Sequence, residues 1–261
     1  MSGSLEGKVA AITAGSTGIG FGIAKAFLAE GASVVLGNRS QEKGAFALER
    51  LAAGDRAVFK KTDALVRSDV DAFIDYTVEH FGTIDILVNC AGGSDAWAMI
   101  DSLSDEAWQK AFDWNCSSAF WSTRRALATM IPQGYGRIIN MSSIEGKLAS
   151  KLAVSHYIMG KHALNGLTKA TAVEYAQAGI TCNAICPGPI ETELMKDAGR
   201  QVAEASGVTY EKFLDDFAQD TLTKKLNTVE QVAGMALLLA GPLGDGMTGT
   251  LFNVDGGTSP Y

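Results

Sequence analysis

Short apolar runs alternate with amphipathic stretches along almost the whole chain. Lys8–Thr13 (KVAAIT), Ser33–Leu36 (SVVL), Ala57–Lys60, Ile84–Asn89 (IDILVN), Arg137–Met141 (RIINM), Thr181–Ile185 (TCNAI) and Thr250–Val254 (TLFNV) are runs of the length and apolarity of buried strands. Between them the spacing turns helical. Gly18–Gly31 places Ile19, Ile23, Phe27 and Leu28 on one side. Gln41–Ala53, Asp69–Phe81, His156–Ala178 and Val229–Ala240 read as further helices, and Asp105–Met130 as one long helix or two broken ones. Such alternation predicts βαβ units. The fold class is therefore α/β, a parallel sheet covered by helices on both faces, and right-handed crossovers make it doubly wound.

The alternation lapses between Pro187 and Thr228, where the helical pieces Glu191–Ala205 and Tyr210–Thr221 follow each other without a strand. An insertion at about 189–228, lying over the C-terminal edge of the sheet, fits this pattern, and lids are built there. The rest reads as a single domain over residues 1–261, an ordinary size for an undivided α/β fold.

Composition narrows the function classes. A net charge of −7 argues against a nucleic-acid partner, because phosphate binding needs a basic surface. No segment offers about 18 uncharged apolar residues, so no membrane span is expected; Val232–Leu243 is the nearest candidate and is too short. Met1–Gly7 lacks a basic region and an apolar run, so a cytoplasmic protein without a signal peptide is expected. Cys90, Cys116, Cys182 and Cys186 form no C-x-x-C pair and no zinc set with histidine; they read as buried thiols, and no metal is expected.

Two constellations carry candidate chemistry. Thr13–Gly20 (TAGSTGIG) joins the first strand to the first helix. Glycines there let backbone approach a pyrophosphate, and a helix N-terminus offers N–H groups and the positive end of its dipole. The candidate contacts are Gly15, Ser16, Thr17, Gly18, Ile19 and Gly20. The second strand runs into Asn38, Arg39 and Ser40, with no acidic residue to hold the ribose hydroxyls of NAD. Arg39 can pair with a 2′-phosphate and Ser40 can donate to it, which favours NADP, with NAD the alternative and a solvated surface charge the other reading of Arg39. Downstream, Tyr157 and Lys161 share one helix face, and Ser142 and Ser143 close the strand before them. A tyrosine with an ordinary pKa of about 10 needs a neighbouring ammonium to reach working range, and a serine hydroxyl beside it can polarise a substrate oxygen.

In these motifs and their order the chain resembles the short-chain dehydrogenase/reductase family, over nearly its whole length. Besides Thr13–Gly20, Asp63 matches the adenine-contacting acid, Asn89-Cys90-Ala91-Gly92 the N-N-A-G strand end with Cys for the second Asn, and Asn115 the active-site asparagine. Ser143, Tyr157 and Lys161 complete the catalytic tetrad, Pro187-Gly188 with Thr192 matches the nicotinamide-side loop, and Val254–Gly257 the C-terminal signature. The resemblance implies a Rossmann-type domain, a homotetramer, and a hydride exchanged between a nicotinamide and a secondary alcohol or ketone. It implies that Tyr157 exchanges the proton, that Lys161 lowers its pKa and holds the nicotinamide ribose, that Ser143 orients the substrate oxygen, and that Asn115 holds a water. It adds Ala64, Ala91, Ile190 and Thr192 to the expected cofactor contacts. Two positions depart from the family pattern. Ala14 stands for the first motif glycine, and Ser143 lies fourteen positions before Tyr157, one more than usual, which leaves Ser142 as a competitor for the serine role.

Within the family the pattern is nearest to 3-hydroxybutyrate dehydrogenases, especially in Asn183–Gly188 (NAICPG). The acid-binding positions do not carry over: Glu145 stands where those enzymes have a histidine and Val154 where they have a lysine. A carboxylate beside Glu145 would be repelled unless Lys147 or Lys151 intervened. A neutral or polyol-like small molecule follows, with Glu145 accepting hydrogen bonds from it or standing as a solvated loop carboxylate. Trp97, at the expected mouth, packs on substrate or in the core, and Leu194–Phe217, with Met195, Val202 and Phe213, forms the lid. The rival readings are a 3-hydroxy acid dehydrogenase, a 3-oxoacyl reductase, and a non-catalytic cofactor-binding sensor, which would have no need of Tyr157 or Lys161.

Overall fold

The computed structural model describes residues 3–205 and 207–259, apart from a few side chains between 193 and 205. Seven strands form a single parallel sheet in the order β3-β2-β1-β4-β5-β6-β7. They are β1 (Val9–Thr13), β2 (Ser33–Asn38), β3 (Ala57–Lys61), β4 (Ile86–Asn89), β5 (Gly136–Met141), β6 (Ile180–Pro187) and β7 (Leu251–Val254). Each apolar run of the sequence becomes a strand. The four central ones are buried at every position, as a sheet covered on both faces requires. The main boundary change is in β6, which runs on to Pro187 because Cys186 and Pro187 still pair with Asn253 and Val254 of the edge strand.

Two helical layers close the faces. α1 (Gly18–Ala29), α2 (Gln41–Leu51) and α9 (Val229–Ala240) bury Ile23, Phe27, Ala47, Val232 and Leu239 with Ile12, Leu36 and Ile185 of the strands. α3 (Arg67–Phe81), α5 (Ser118–Gln133) and α6 (Ser155–Tyr175) bury Phe73, Ile74, Leu127, Met130 and Ala172 against Val35, Leu87 and Ile138. The lapse in alternation holds α7 (Glu193–Ala205) and α8 (Tyr210–Gln219). A parallel bridge between Ile190 and Asn227 pins the neck of this insertion.

The segment from Asp105 is neither one regular helix nor two broken ones. α4 (Asp105–Phe112) passes through a π turn at Asp113–Ser117 straight into α5. The backbone stays helical at both ends of the turn. Carbonyls that the wider turn frees are taken by side chains: Asn115 Nδ2 donates to Ala111 O and Ser118 Oγ to Trp114 O.

Candidate active site

Because every strand is parallel, the predicted site residues fall just past the strand ends on one edge of the sheet. Thr13–Gly20 follows β1, Asn38–Ser40 β2, Asp63 and Ala64 β3, Asn89–Gly92 β4, Ser143 β5, and Pro187–Thr192 β6. The order reverses between β1 and β4, which opens a crevice at that switch point. Thr13 ties its two sides together, its Oγ accepting from Cys90 N and Ala91 N at 2.9 and 3.0 Å.

Below the crevice a buried polar network sets the helices. Asn89 Nδ2 donates to Asn140 Oδ1 at 2.8 Å, Asn140 Nδ2 donates to Thr168, and Asn89 Oδ1 accepts from Ser122 Oγ. Neighbouring β4 and β5 are thus locked to α5 and α6, which carry or adjoin the reactive groups. The Asn89 side chain is fully committed here, so a cofactor contact at this position falls to its backbone.

Tyr157 stands in the first turn of α6, with the Ser143 hydroxyl near enough to act on its titration. Ser143 Oγ also accepts from Glu145 N and caps a short 3-10 turn at Ile144–Gly146. A Cβ on Gly146 would stand 2.7 Å from Ser142 Oγ, so Ser142 points to that turn and Ser143 to the phenol. Lys161, one turn along, is buried and donates from Nζ to Met141 O at 2.8 Å. Asn115 is bonded both ways to Gly93, its Nδ2 donating to Gly93 O and its Oδ1 accepting from Gly93 N. A Cβ on Gly92 would lie 2.7 Å from Asn115 Oδ1 and 2.9 Å from Lys161 Nζ, so the β4 turn rests directly on both side chains. Gly160 permits the same closeness from α6, since a Cβ there would stand 2.9 Å from Asn115 Cβ.

Burial pushes the Tyr157 phenol above its ordinary value; the Ser143 hydroxyl opposes this and the Glu145 carboxylate adds to it. The Lys161 Nζ donates to the Met141 carbonyl and stands 5.6 Å from the Tyr157 ring centroid. Lys161 itself is pushed down to about 8 by burial, with Cys90, Cys186 and Cys116 acting in the opposite sense.

The nucleotide side fits a pyrophosphate. Ser40, Ser104, Thr209 and Thr228 cap their helices with side-chain oxygens, whereas Thr17 at the head of α1 makes no such cap. The hydroxyl of Ser16 in the same turn is buried without a hydrogen-bond partner among the described residues. A ligand with anionic oxygens would satisfy both. Asn38 Oδ1 accepts from Ser40 N, and Asp63 Oδ1 from Leu65 N, so both side chains also hold their loops. Arg39 is exposed and lies over the Trp114 ring at 5.7 Å. Trp114 escaped the sequence reading; on the π turn it also lies against Gly93, and no local pattern marks it.

At the mouth the structure removes three alternatives. Glu145 is not a solvated carboxylate: it is 6% exposed, and its two oxygens accept from the backbone and hydroxyl of Ser150. Trp97 is not in the core, being 65% exposed. Lys147 and Lys151 do not face a substrate carboxylate; Lys147 donates to Asn253 Oδ1 and Lys151 pairs with Asp220 of the insertion. His156 and Ser94, which the sequence left without a role, meet at 2.8 Å and tie the loop after β4 to the residue before Tyr157. The four cysteines are free thiols, and Cys90, expected to be buried, is half-buried. In the insertion Phe213 stacks with Tyr210, while the Leu194 side chain lies outside the described residues.

The family model described as Enoyl-(Acyl carrier protein) reductase matches residues 13–259. A D-beta-hydroxybutyrate dehydrogenase of Cupriavidus necator is 34% identical over 255 residues, 97% of this chain and 98% of its own. A 3beta-hydroxysteroid dehydrogenase of Mediterraneibacter gnavus is 35% identical over 270 residues, 99% of this chain and 97% of its own. The crystal structure of an actinorhodin polyketide ketoreductase variant with NADPH superposes with a TM-score of 0.92 at 31% identity and covers 100% of both chains. The chain belongs to the short-chain dehydrogenase/reductase family and is an NAD(P)-dependent oxidoreductase acting on a secondary alcohol or ketone.

Proposed function

We propose that the chain interconverts an uncharged ketone and its secondary alcohol, with NADPH as the preferred cofactor and NADH the alternative. The observation that carries this is Tyr157 beside Ser143, with the buried Lys161 Nζ 5.6 Å from its ring, at the sheet edge where the glycine turn also ends. When bound, the nicotinamide supplies or takes the hydride. Tyr157 gives a proton to the substrate oxygen in reduction and takes it back in oxidation; its raised pKa keeps the free enzyme's phenol protonated at neutral pH, the state reduction needs. Ser143 orients the same oxygen. Lys161, with Thr192 and the backbone from Asn89 to Gly92, would hold the nicotinamide end, while Asn115 fixes Gly93 beside it; Ser16 and the turn to Gly20 would hold the pyrophosphate.

Support for NADPH is local: Arg39 ends β2 where an acid would repel the 2′-phosphate, and the ketoreductase neighbour carries NADPH. Support for an uncharged substrate is that Glu145 and Val154 stand at the two positions where a cation would hold an acid, while Lys147 and Lys151 are engaged elsewhere. Residues 189–228 act as the lid, joined to the mouth by the Lys151–Asp220 pair. No described helix is long and apolar enough to cross a membrane. A cytoplasmic homotetramer completes the reading, in keeping with free cysteines and with exposed Trp108 and Phe120 on α4 and α5.

A panel of uncharged ketones, secondary alcohols, polyols and hydroxy acids with NADPH and NADH, followed by the absorbance of the reduced cofactor, tests the proposal. Uncharged ketones with NADPH are expected to give the highest kcat/KM. Faster turnover of 3-hydroxybutyrate, or a strong NADH preference, contradicts it.

A further inference from the structure

Four large apolar side chains stand in the open on the loops that border Tyr157. Trp97 is 65% exposed, Met99 52%, Ile100 78% and Leu152 79%. Single exposed apolar residues are ordinary; several on adjoining loops form a patch that needs a reason. The loops adjoin because Ala98 N donates to Ala153 O at 3.1 Å. Both begin in the catalytic machinery. The first leaves β4 through Gly93, bonded to Asn115, and Ser94, bonded to His156. The second runs from the Ser143 turn to α6 and passes through Ala153 at φ +60°, a conformation alanine seldom holds.

Charge near this rim is spent internally. Asp95 pairs with Lys110, Lys151 with Asp220, and Glu145 accepts from Ser150. The Glu145 carboxylate is close enough to Tyr157 to act on its titration. An anionic substrate therefore meets the Glu145 carboxylate while Lys147 and Lys151 are already engaged, and a polyol finds few open partners, whereas an apolar body can cover the rim.

We infer that the substrate is a bulky, uncharged, predominantly apolar ketone or secondary alcohol whose body lies on the rim of Trp97, Met99, Ile100 and Leu152, its carbonyl reaching Tyr157. This rests on the oxidoreductase reading above and names the substrate class of that site.

The test compares kcat/KM for cyclohexanone, 1-decalone and acetoacetate with NADPH, in the native chain and in an Ile100→Ser/Leu152→Ser double variant. Both positions are exposed, so the variant keeps the core. Each methylene buried is worth about a factor of four, so 1-decalone is expected to exceed cyclohexanone by about tenfold or more, with acetoacetate lowest. The double variant should lower the decalone-to-cyclohexanone ratio at least about fivefold. It should also weaken 1-decalone binding in a tryptophan-fluorescence titration without turnover. Equal or better turnover of acetoacetate or cyclohexanone, or a ratio that the double variant leaves unmoved, overturns the inference and leaves the oxidoreductase reading standing. A changed oligomeric state with an unmoved ratio overturns it in favour of a second copy as occupant. No turnover of any ketone or alcohol overturns both.

Discussion

At φ +51° Ala14 holds a conformation that its own methyl group opposes. It occupies the first glycine position of the family motif, and the turn keeps its shape because Gly15 N is anchored to Gly37 O at 3.0 Å. The left-handed conformation costs an alanine about 1–2 kcal/mol, partly offset by the freedom a glycine would lose on folding. Ala14→Gly should therefore stabilise the fold by about 0.5–1 kcal/mol, with a thermal midpoint about 1–3 °C higher by calorimetry. An unchanged or lower midpoint would show that the turn relieves this strain elsewhere. Arg39 is the other informative residue. A charge-assisted hydrogen bond is worth about 1.5–3 kcal/mol, so Arg39→Asp should shift the NADPH-to-NADH ratio of kcat/KM toward NADH by about 10- to 100-fold. A ratio that stays put would mean that Arg39 serves only its stacking on Trp114.

Among the elements, the π turn between α4 and α5 does the most positioning. It carries Asn115 to Gly93 and stands against α6 at Gly160. A methyl added at Gly160 cannot fit without separating the two. Gly160→Ala should lower kcat at least about tenfold, while NADPH binding, read by fluorescence of the reduced nicotinamide, changes less. A fully active variant would show that α6 and the π turn move apart freely. Nothing in Asp113–Ser117 announces this turn. It contains no glycine or proline, and a serine and an asparagine that bond carbonyls one turn back, as Ser118 and Asn115 do, occur in regular helices too. The strands were legible for the opposite reason. A strand buried on both faces must be a continuous apolar run, and each such run became one. From the sequence Glu145 faces either substrate or solvent; its partner Ser150, five residues on, belongs to no recognisable pattern. The site residues were legible because parallel strands deliver all their ends to one edge, whereas the phenol's raised pKa depends on burial that spacing does not reveal.

For the molecule as a whole, buried thiols make the fold sensitive to alkali. Burial pushes Cys182 up to about 12 and raises Cys116 and Cys186 as well. Each thiol stays protonated in the folded state above its ordinary value of 9.0, where the unfolded chain ionises. Its contribution is therefore complete below about 9 and is lost as pH rises through the folded value. Cys182, fully buried, should account for about 1 kcal/mol of lost stability at pH 10. Lys161 works the other way, its burial cost easing as pH rises from about 8 toward its ordinary 10.5, but it is one group against three. The urea midpoint is expected to fall between pH 8 and pH 10, and to fall less in Cys182→Ala than in the native chain; an equal fall in both would contradict this.

The account stands or falls on Tyr157 as the proton donor and acceptor at a nicotinamide site. The most direct measurement is turnover of an uncharged ketone with NADPH by the native chain and by Tyr157→Phe, with NADPH affinity measured on both. The variant should lose about a thousandfold in kcat, within the range that a positioned acid–base group supplies, and bind NADPH within a few fold of the native chain. Turnover within tenfold of native would contradict the account.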